Sequence, residues 1–177
     1  MQRAQAARWC SRVSRLPRDH FDLVVAATSF HWVAPEHGFS KIRRILRSGG
    51  SAALMWNVLQ DLSQEDRFHE ATRELLAPLA SSPSGAPDSV PFALDRSARE
   101  AEAHAAGFDR ISYAESRWSH VITTEQVGKL YAGFSSLQRL KDEHRHHLLK
   151  SLMAIADEEF NGRVIRNVTS CLYLLKV

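Results

Sequence analysis

The sequence predicts an α/β fold built on a doubly wound, largely parallel sheet. Two strand-sized apolar runs, at residues 21–28 and 51–58, are almost unbroken, as is typical of parallel strands buried on both faces. Between them, apolar residues from Phe39 to Leu46 recur at helical spacing. We expect this helix to begin at Pro35 and to be stopped by Gly49-Gly50. A strand, a helix and a strand in this order predict a right-handed parallel crossover.

The composition is that of an ordinary globular domain. The chain has 177 residues, of which 44% are hydrophobic and 24% charged, so disorder and coiled coil are excluded for the chain as a whole. No apolar run approaches the roughly 20 residues of a membrane-spanning helix. Two distant cysteines form neither a zinc motif nor a disulfide framework, and no signal-peptide core is recognisable. A reducing, cytoplasmic location is therefore the default expectation.

Basic residues are concentrated in an N-terminal arm, residues 1–18. The arm holds five arginines and no acidic residue, whereas the rest of the chain has 18 basic and 20 acidic residues. The net charge of +3 therefore reflects the arm and does not indicate a nucleic-acid-binding surface on the fold. The arm has the composition of a mitochondrial transit peptide, and it could equally be a remnant of a longer coding sequence.

The remainder of the chain continues the alternation of helices and strands. Ser63, with Asp66 three residues on, resembles a helix N-cap, and the helix that follows should reach about residue 80. Residues 81–88 form a loop rich in Ser, Pro and Gly. We then expect a helix at 95–106, a strand at 111–122, a helical block of about two helices at 124–160, and a final strand at 163–177.

Three pieces of sequence in a fixed order resemble a known family. They are the run 21–27, the pair His31-Trp32, and the helix end 42–46 followed by Arg47-Ser48-Gly49-Gly50. Here the chain resembles the class I S-adenosylmethionine-dependent methyltransferases, and in particular their small-molecule, type 11-like branch. The resemblance implies a partial Rossmann-like sheet that lacks the first strands. It also implies a helical insertion at about 124–160 and a closing antiparallel strand pair.

The chain also departs from the family pattern. Ser48 replaces the usual proline, and the first glycine in the chain is Gly38, inside the predicted helix. The glycine-rich loop and the ribose-binding acid of the family therefore have no counterpart here. A glycine-rich loop matters because a Cβ would obstruct the approach of the backbone to the cofactor. We expect residues 19–177 to be the C-terminal half of a methyltransferase domain that follows the arm.

The resemblance also implies site residues, at the carboxyl ends of the predicted strands, where open α/β sheets bind ligands. Ala27, Thr28 and Ser29 would line S-adenosylmethionine. The residues on the substrate side would be Phe30, Trp32 and Asn57, and the single candidate for a catalytic base would be His31. The alternative is that Phe30 and Trp32 pack in the core and that His31 caps a helix. Trp56, beside Asn57, is interpreted as a core residue.

Other candidate sites are weaker. His144, His146 and His147 share a predicted helix with acidic neighbours, but such a pattern is more typical of a solvated helix face than of a metal site, and no metal is expected. Cys10 lies among arginines that could lower its pKa, but the sequence places no base beside it.

The predicted function of the complete family fold is methyl transfer from S-adenosylmethionine to a small-molecule acceptor. This chain looks like a truncated form of such an enzyme. The alternative is a non-catalytic interaction module, or a half-fold that pairs with another chain. No nucleic acid or membrane partner is expected. The strand at 21–28 contains no proline or lysine to protect an open edge, so we expect the chain to self-associate there.

Overall fold

A computed structural model describes residues 16–79 and 90–177. It confirms the α/β fold class, with a four-stranded sheet in the order β1-β2-β4-β3. Most of the N-terminal arm, Cys10 and the loop at 81–88 lie outside the described residues. The strands are β1 (Phe21–Ala27), β2 (Leu46–Val58), β3 (Arg110–Thr123) and β4 (Arg163–Lys176). The helices are α1 (Pro35–Ile45), α2 (Arg67–Leu76), α3 (Arg96–Ala105), α4 (Thr124–Ala132), α5 (Ser135–Gln138) and α6 (Asp142–Phe160), with short 3₁₀ turns at Phe30–Trp32 and Ala77–Leu79.

The predicted strand–helix–strand unit is present. β1 and β2 pair in parallel, with Val24 opposite Ala52 and Ala26 opposite Leu54. Pro35 occupies the first turn of α1, where its missing N–H is not needed. The crossover therefore brings the carboxyl ends of β1 and β2 side by side.

The prediction that Gly49-Gly50 ends the helix is wrong. α1 ends at Ile45, and Leu46 is already extended. The pairing register moves from Phe21–Leu46 to Leu23–Ser51, so the glycine pair lies in a bulge of β2. Gly49 has φ +76°, which favours glycine.

β1 is less buried than predicted. One side of the strand, with Val24 and Ala26, packs against the core, but Leu23 and Val25 on the other side are 52% and 54% exposed. The expectation of burial on both faces is therefore wrong for the part of the chain that the structure describes. The apolar sequence of β1 is typical of a central strand, but β1 is an outer strand of this sheet.

The closing antiparallel pair is confirmed. The N–H of Val177 donates to the carbonyl of Gly50, and Ser170 bonds Asn57, so β4 runs antiparallel to β2. β3 and β4 are neighbours in the sheet. The ring of Tyr113 lies 4.8 Å from that of Tyr173, and the hydroxyl of Ser119 donates to Oδ1 of Asn167, so residue numbers rise along β3 as they fall along β4 and the pair is antiparallel. A block of helices separates these two strands in sequence, as expected, although it contains three helices and not two.

The described residues divide into two compact units. The first comprises 16–58, 90–116 and 170–177, and the second comprises 59–79 and 117–169. In the first unit, α1 and α3 cover one face of the sheet around a core that includes Phe39, Leu54, Trp56, Phe108 and Tyr173. In the second unit, α2, α4 and α6 pack around Phe68, Val127, Tyr131, Leu152 and Val164.

Candidate functional site

The turn that leaves β1 carries backbone strain. Thr28 has φ +46°, and its N–H donates a 2.8 Å hydrogen bond to the carbonyl of Met55 at the end of β2. A β-branched residue rarely adopts this left-handed conformation, which costs about 1–3 kcal/mol. Ala27, Thr28 and Ser29 are all exposed. The fold therefore holds a strained, accessible turn at the position where the sequence predicted cofactor contacts.

A cavity of about 350 Å³ lies beside this turn, within the first unit. Ala27 and Thr28 line it from β1 and the following turn, and Met55 and Asn57 line it from the end of β2. β3 and β4 complete its floor with Ala114, Ser116, Ser170 and Leu172. Because side chains alternate along a strand, these positions share the sheet face opposite to α1 and α3. The cavity is therefore an open, mostly apolar cradle on the face that these helices leave uncovered.

Three further lining residues face the other way: Trp56, which packs in the core, Glu115 and Cys171. Glu115 accepts a 2.5 Å hydrogen bond from the hydroxyl of Tyr113, which packs on the helix-covered face. Cys171 donates from Sγ to the carbonyl of Ala93, and burial raises its pKa to about 11. They contribute backbone to the cavity, and Cys171 stays a protonated thiol at neutral pH.

Asn57 is oriented by a hydrogen bond. The hydroxyl of Ser170 donates to Oδ1 of Asn57 over 2.7 Å. Oδ1 of Asn57 is thus engaged by Ser170, so Nδ2 is the group that can donate to a bound molecule. The sequence indicated Asn57 but not Ser170. The two residues are 113 positions apart, and they meet only because β4 pairs with β2, which the local sequence pattern does not show.

His31 lies beside the core and does not line the cavity. Its Nδ1 accepts a 3.1 Å hydrogen bond from the indole N–H of Trp56, and burial lowers the pKa of the imidazole. The ring also lies 5.2 Å from that of Trp32 and 6.4 Å from that of Phe92. His31 is therefore neutral at pH 7, with its proton on Nε2, and Nδ1 is not available as a base.

Phe30 and Trp32 also lie outside the cavity lining. Phe30 is 1% exposed and packs 4.7 Å from the ring of Phe39, with the backbone of Gly38 in close contact. Trp32 is half-buried. The structure thus brings Ala27, Thr28 and Asn57 together at the cavity, leaves Ser29 exposed next to them, and places Phe30 in the core.

In the second unit, buried side chains of β4 hold the segment 59–66 that follows β2. Arg166 donates to the carbonyl of Leu59 and to the carboxylate of Asp66, and Thr169 donates to the carbonyl of Gln60. Asp66, not Ser63, is the N-cap of α2, because it accepts from the N–H of His69. The segment is therefore fixed by polar contacts that the sequence pattern could not reveal.

The described residues contain neither a group of metal ligands nor a membrane-spanning helix. Across residues 16–79 and 90–177, no three His, Cys, Asp or Glu side chains are grouped to hold a metal ion. None of the helices described for this chain is long and apolar enough to cross a membrane.

Comparison with known proteins supports the resemblance. A methyltransferase domain family matches residues 2–54. A methyltransferase-like protein of Schizosaccharomyces pombe is 27% identical over 141 residues, which cover 80% of this chain and 51% of the relative. The chain therefore spans about half the length of the curated relative it matches.

The structure also aligns with solved structures of methyltransferases. A putative methyltransferase from Bacillus halodurans aligns with TM-score 0.48 and 15% identity, over 92% of this chain and 72% of that chain. Phosphoethanolamine N-methyltransferase 2 of Haemonchus contortus, bound to phosphomonomethylethanolamine and S-adenosylhomocysteine, aligns with TM-score 0.42 and 14% identity, over 92% of this chain and 34% of that chain. The family match and the relative confirm the predicted similarity to methyltransferases.

Proposed function

We propose that this chain forms part of an S-adenosylmethionine-dependent methyltransferase that acts on a small-molecule acceptor. The observation that carries the proposal is the strained turn at Thr28 beside an open cavity, at the carboxyl ends of β1 and β2. In open α/β sheets this edge is where ligands bind. The family match over residues 2–54 includes both the turn and the beginning of β2.

The residues present fit the methyl-bearing end of the cofactor. The cavity is mostly apolar, and Ala27, Thr28 and Ser29 offer an exposed turn at its edge. S-adenosylmethionine supplies the methyl group when bound. Methyl transfer is an in-line displacement, so these residues act mainly by positioning.

Asn57 and His31 take different roles in this proposal. Nδ2 of Asn57 donates a hydrogen bond to the acceptor molecule from the floor of the cavity. Neutral His31 stabilises the site from the core side of the sheet, because its Nδ1 accepts a hydrogen bond from the indole N–H of Trp56. His31 is therefore a positioning residue in this account and not a base.

The test is an NMR titration of the ¹⁵N-labelled 177-residue chain with S-adenosylhomocysteine up to millimolar concentration. We expect saturable shifts at Ala27–Ser29 and at Asn57. Ala27→Leu fills the edge of the cavity and should abolish these shifts. Ala34→Leu, at an exposed alanine outside the cavity lining, should leave them intact. Shifts that are absent, or that survive in Ala27→Leu, would contradict the proposal.

A second candidate is a non-catalytic interaction module that pairs with another chain or with itself. The observation that favours it is the exposure of Leu23 and Val25 on β1, an outer strand of the described sheet. On this proposal the chain self-associates through the strand at 21–28. An absence of ligand shifts together with a concentration-dependent mass would favour this candidate.

A further inference from the structure

A row of neutral polar side chains crosses three strands at one end of the cavity. Ser170 of β4 donates to Asn57 of β2. Ser116 lies three residues after Tyr113 on β3, and Ser170 lies three residues before Tyr173 on β4. Because these two tyrosines pack together and β3 runs antiparallel to β4, Ser116 faces Ser170 across the strands. We call Asn57, Ser170 and Ser116, which all line the cavity, the polar row.

An apolar row lies beside the polar row. It is one side-chain repeat away, which is about 7 Å along the strands. It consists of Ala27, Met55, Leu172 and Ala114, which also line the cavity. Ala27 and Met55 are partners in the parallel register of β1 and β2. The cavity of about 350 Å³ therefore presents polar groups at one end and aliphatic groups at the other.

The polar row offers a hydrogen-bond donor through Asn57. Its Oδ1 accepts the 2.7 Å hydrogen bond from Ser170, which leaves the two N–H groups of Nδ2 for a bound molecule. A group that binds there accepts a hydrogen bond, as a carbonyl, ether or hydroxyl oxygen does. An ammonium group has no acceptor, so it cannot bond to these N–H groups.

The side chains that face the cavity are also uncharged. Among the described residues, they are the two rows and Thr28. The exposed cations on the same face, Lys176 and Arg110, each lie six residues from the polar row, which is about 20 Å along a strand. This separation is more than twice the Debye length of about 8 Å at physiological ionic strength. A charged ligand would therefore lose hydration with no opposite charge nearby to offset the loss.

We propose that the cavity selects a neutral molecule that carries an oxygen acceptor on an apolar body, and that Ser170 is a positioning residue for this selection. The inference rests on the proposed function and names the chemical class of the methyl acceptor. Nδ2 of Asn57 binds the oxygen, while Met55 and Leu172 pack against the apolar body. Ser170 holds the amide of Asn57 in the orientation that donates.

The test is an NMR titration of the ¹⁵N-labelled 177-residue chain with three ligands of nearly equal size: benzamide, benzoate and benzylammonium. We expect saturable shifts at Met55, Asn57 and Leu172 with benzamide, and a dissociation constant in the millimolar range that is usual for so small a molecule. Benzoate and benzylammonium should bind about tenfold more weakly or less tightly still, because each carries a charge that the cavity does not compensate.

Asn57→Asp tests the donor. The substitution keeps an oxygen for Ser170 and replaces the N–H groups with an anionic oxygen. It should weaken benzamide binding about tenfold and make benzylammonium the tightest of the three ligands. Asn161→Asp is the matched control, because it adds the same charge at an exposed residue of the second unit, and it should keep the wild-type order. An unchanged order in Asn57→Asp would overturn the assignment.

Ser170→Ala tests the positioning role. Without the hydroxyl, the amide of Asn57 can rotate and present its oxygen to benzylammonium. The preference for benzamide over benzylammonium should therefore fall severalfold, and Ser170→Thr, which keeps a hydroxyl, should retain it. A merely structural role would change stability and leave this preference as it is, which would overturn the role of Ser170.

The same titrations separate this inference from the proposed function. Equal affinities for the three ligands, or no binding of any of them, would overturn the inference. If the shifts caused by S-adenosylhomocysteine persist in that case, methyl transfer stands and only the acceptor class is wrong. Benzamide binding without shifts from S-adenosylhomocysteine would support the ligand class and refute the role in methyl transfer.

Discussion

At the scale of single residues, Thr28 carries strain that its neighbour does not. Thr28 has φ +46°, whereas Ser29 has φ −136°. Thr28→Gly should stabilise the chain by about 1 kcal/mol, because relief of strain exceeds the entropic cost of glycine. Ser29→Gly should destabilise it by about 0.5–1 kcal/mol, since only the entropic cost remains. Urea unfolding measures both, and an equal loss in the two variants would show that Thr28 is not strained.

The pair His31–Trp56 should make stability depend on pH. Burial lowers the pKa of His31 in the folded state below its ordinary value of 6.5, so the unfolded chain binds this proton more readily. The contribution of His31 to stability is therefore present above about pH 6.5 and is lost as the pH falls below it.

Unfolding free energies measured between pH 5 and 8 test the role of His31. His31→Gln should flatten the profile on the acid side, because the group whose pKa differs between the folded and unfolded states is removed. An unchanged slope in His31→Gln would assign the dependence to other groups.

At the scale of elements, the bulge in β2 depends on two glycines for different reasons. A Cβ on Gly50 would lie 2.9 Å from the carbonyl oxygen of Arg47 and 3.1 Å from that of Phe21, whereas one on Gly49 meets nothing within 4 Å. Gly49→Ala should therefore cost only the strain of its left-handed backbone, about 1–2 kcal/mol. Gly50→Ala displaces backbone and should cost about 3 kcal/mol or more. Equal losses in thermal unfolding would contradict this account of the bulge.

In the second unit, Arg166 and Asp66 form an ion pair whose side chains are 4% and 7% exposed. Arg166→Leu leaves a buried carboxylate unpaired and should cost about 3–5 kcal/mol. Adding Asp66→Asn removes that charge and should restore part of the loss. Arg96→Leu breaks an ion pair with Glu100 that is largely accessible, and should cost less than about 1 kcal/mol. Similar losses for Arg166→Leu and Arg96→Leu in denaturant unfolding would show that burial of the pair is unimportant.

The sequence predicted the elements that depend on local periodicity. β1, α1, β2, α3, β3 and β4 all occur near their predicted positions, because their apolar spacing is read within a few neighbouring residues. The prediction for Gly49-Gly50 is wrong because a glycine pair after a helix commonly ends that helix. Only the pairing of β2 with β1 shows that the two glycines lie in a bulge. Ser170 could not be predicted for the same reason: its contact with Asn57 depends on which strands become neighbours.

At the scale of the whole molecule, the candidate site residues that lie at strand ends come together. Ala27, Thr28 and Asn57 meet at one cavity because β1 and β2 are parallel and end together. Phe30 and His31 lie only a few residues further along, but the 3₁₀ turn directs Phe30 into the core. The side on which a loop residue lies depends on backbone angles that sequence spacing does not specify.

On the proposed function, residues at the carboxyl ends of β1 and β2 form one side of a cofactor site, and this sequence offers no glycine-rich loop to complete it. Its first glycine is Gly38, which already lies in α1. Each missing hydrogen bond removes about 0.5–1.5 kcal/mol, and every 1.4 kcal/mol weakens binding about tenfold.

Calorimetric titration of the 177-residue chain with S-adenosylmethionine tests this claim most directly. We expect no measurable binding at micromolar concentration, with contacts detected only at millimolar ligand. A micromolar dissociation constant for the purified chain would contradict the account, because it would require a cofactor cradle that these residues do not form.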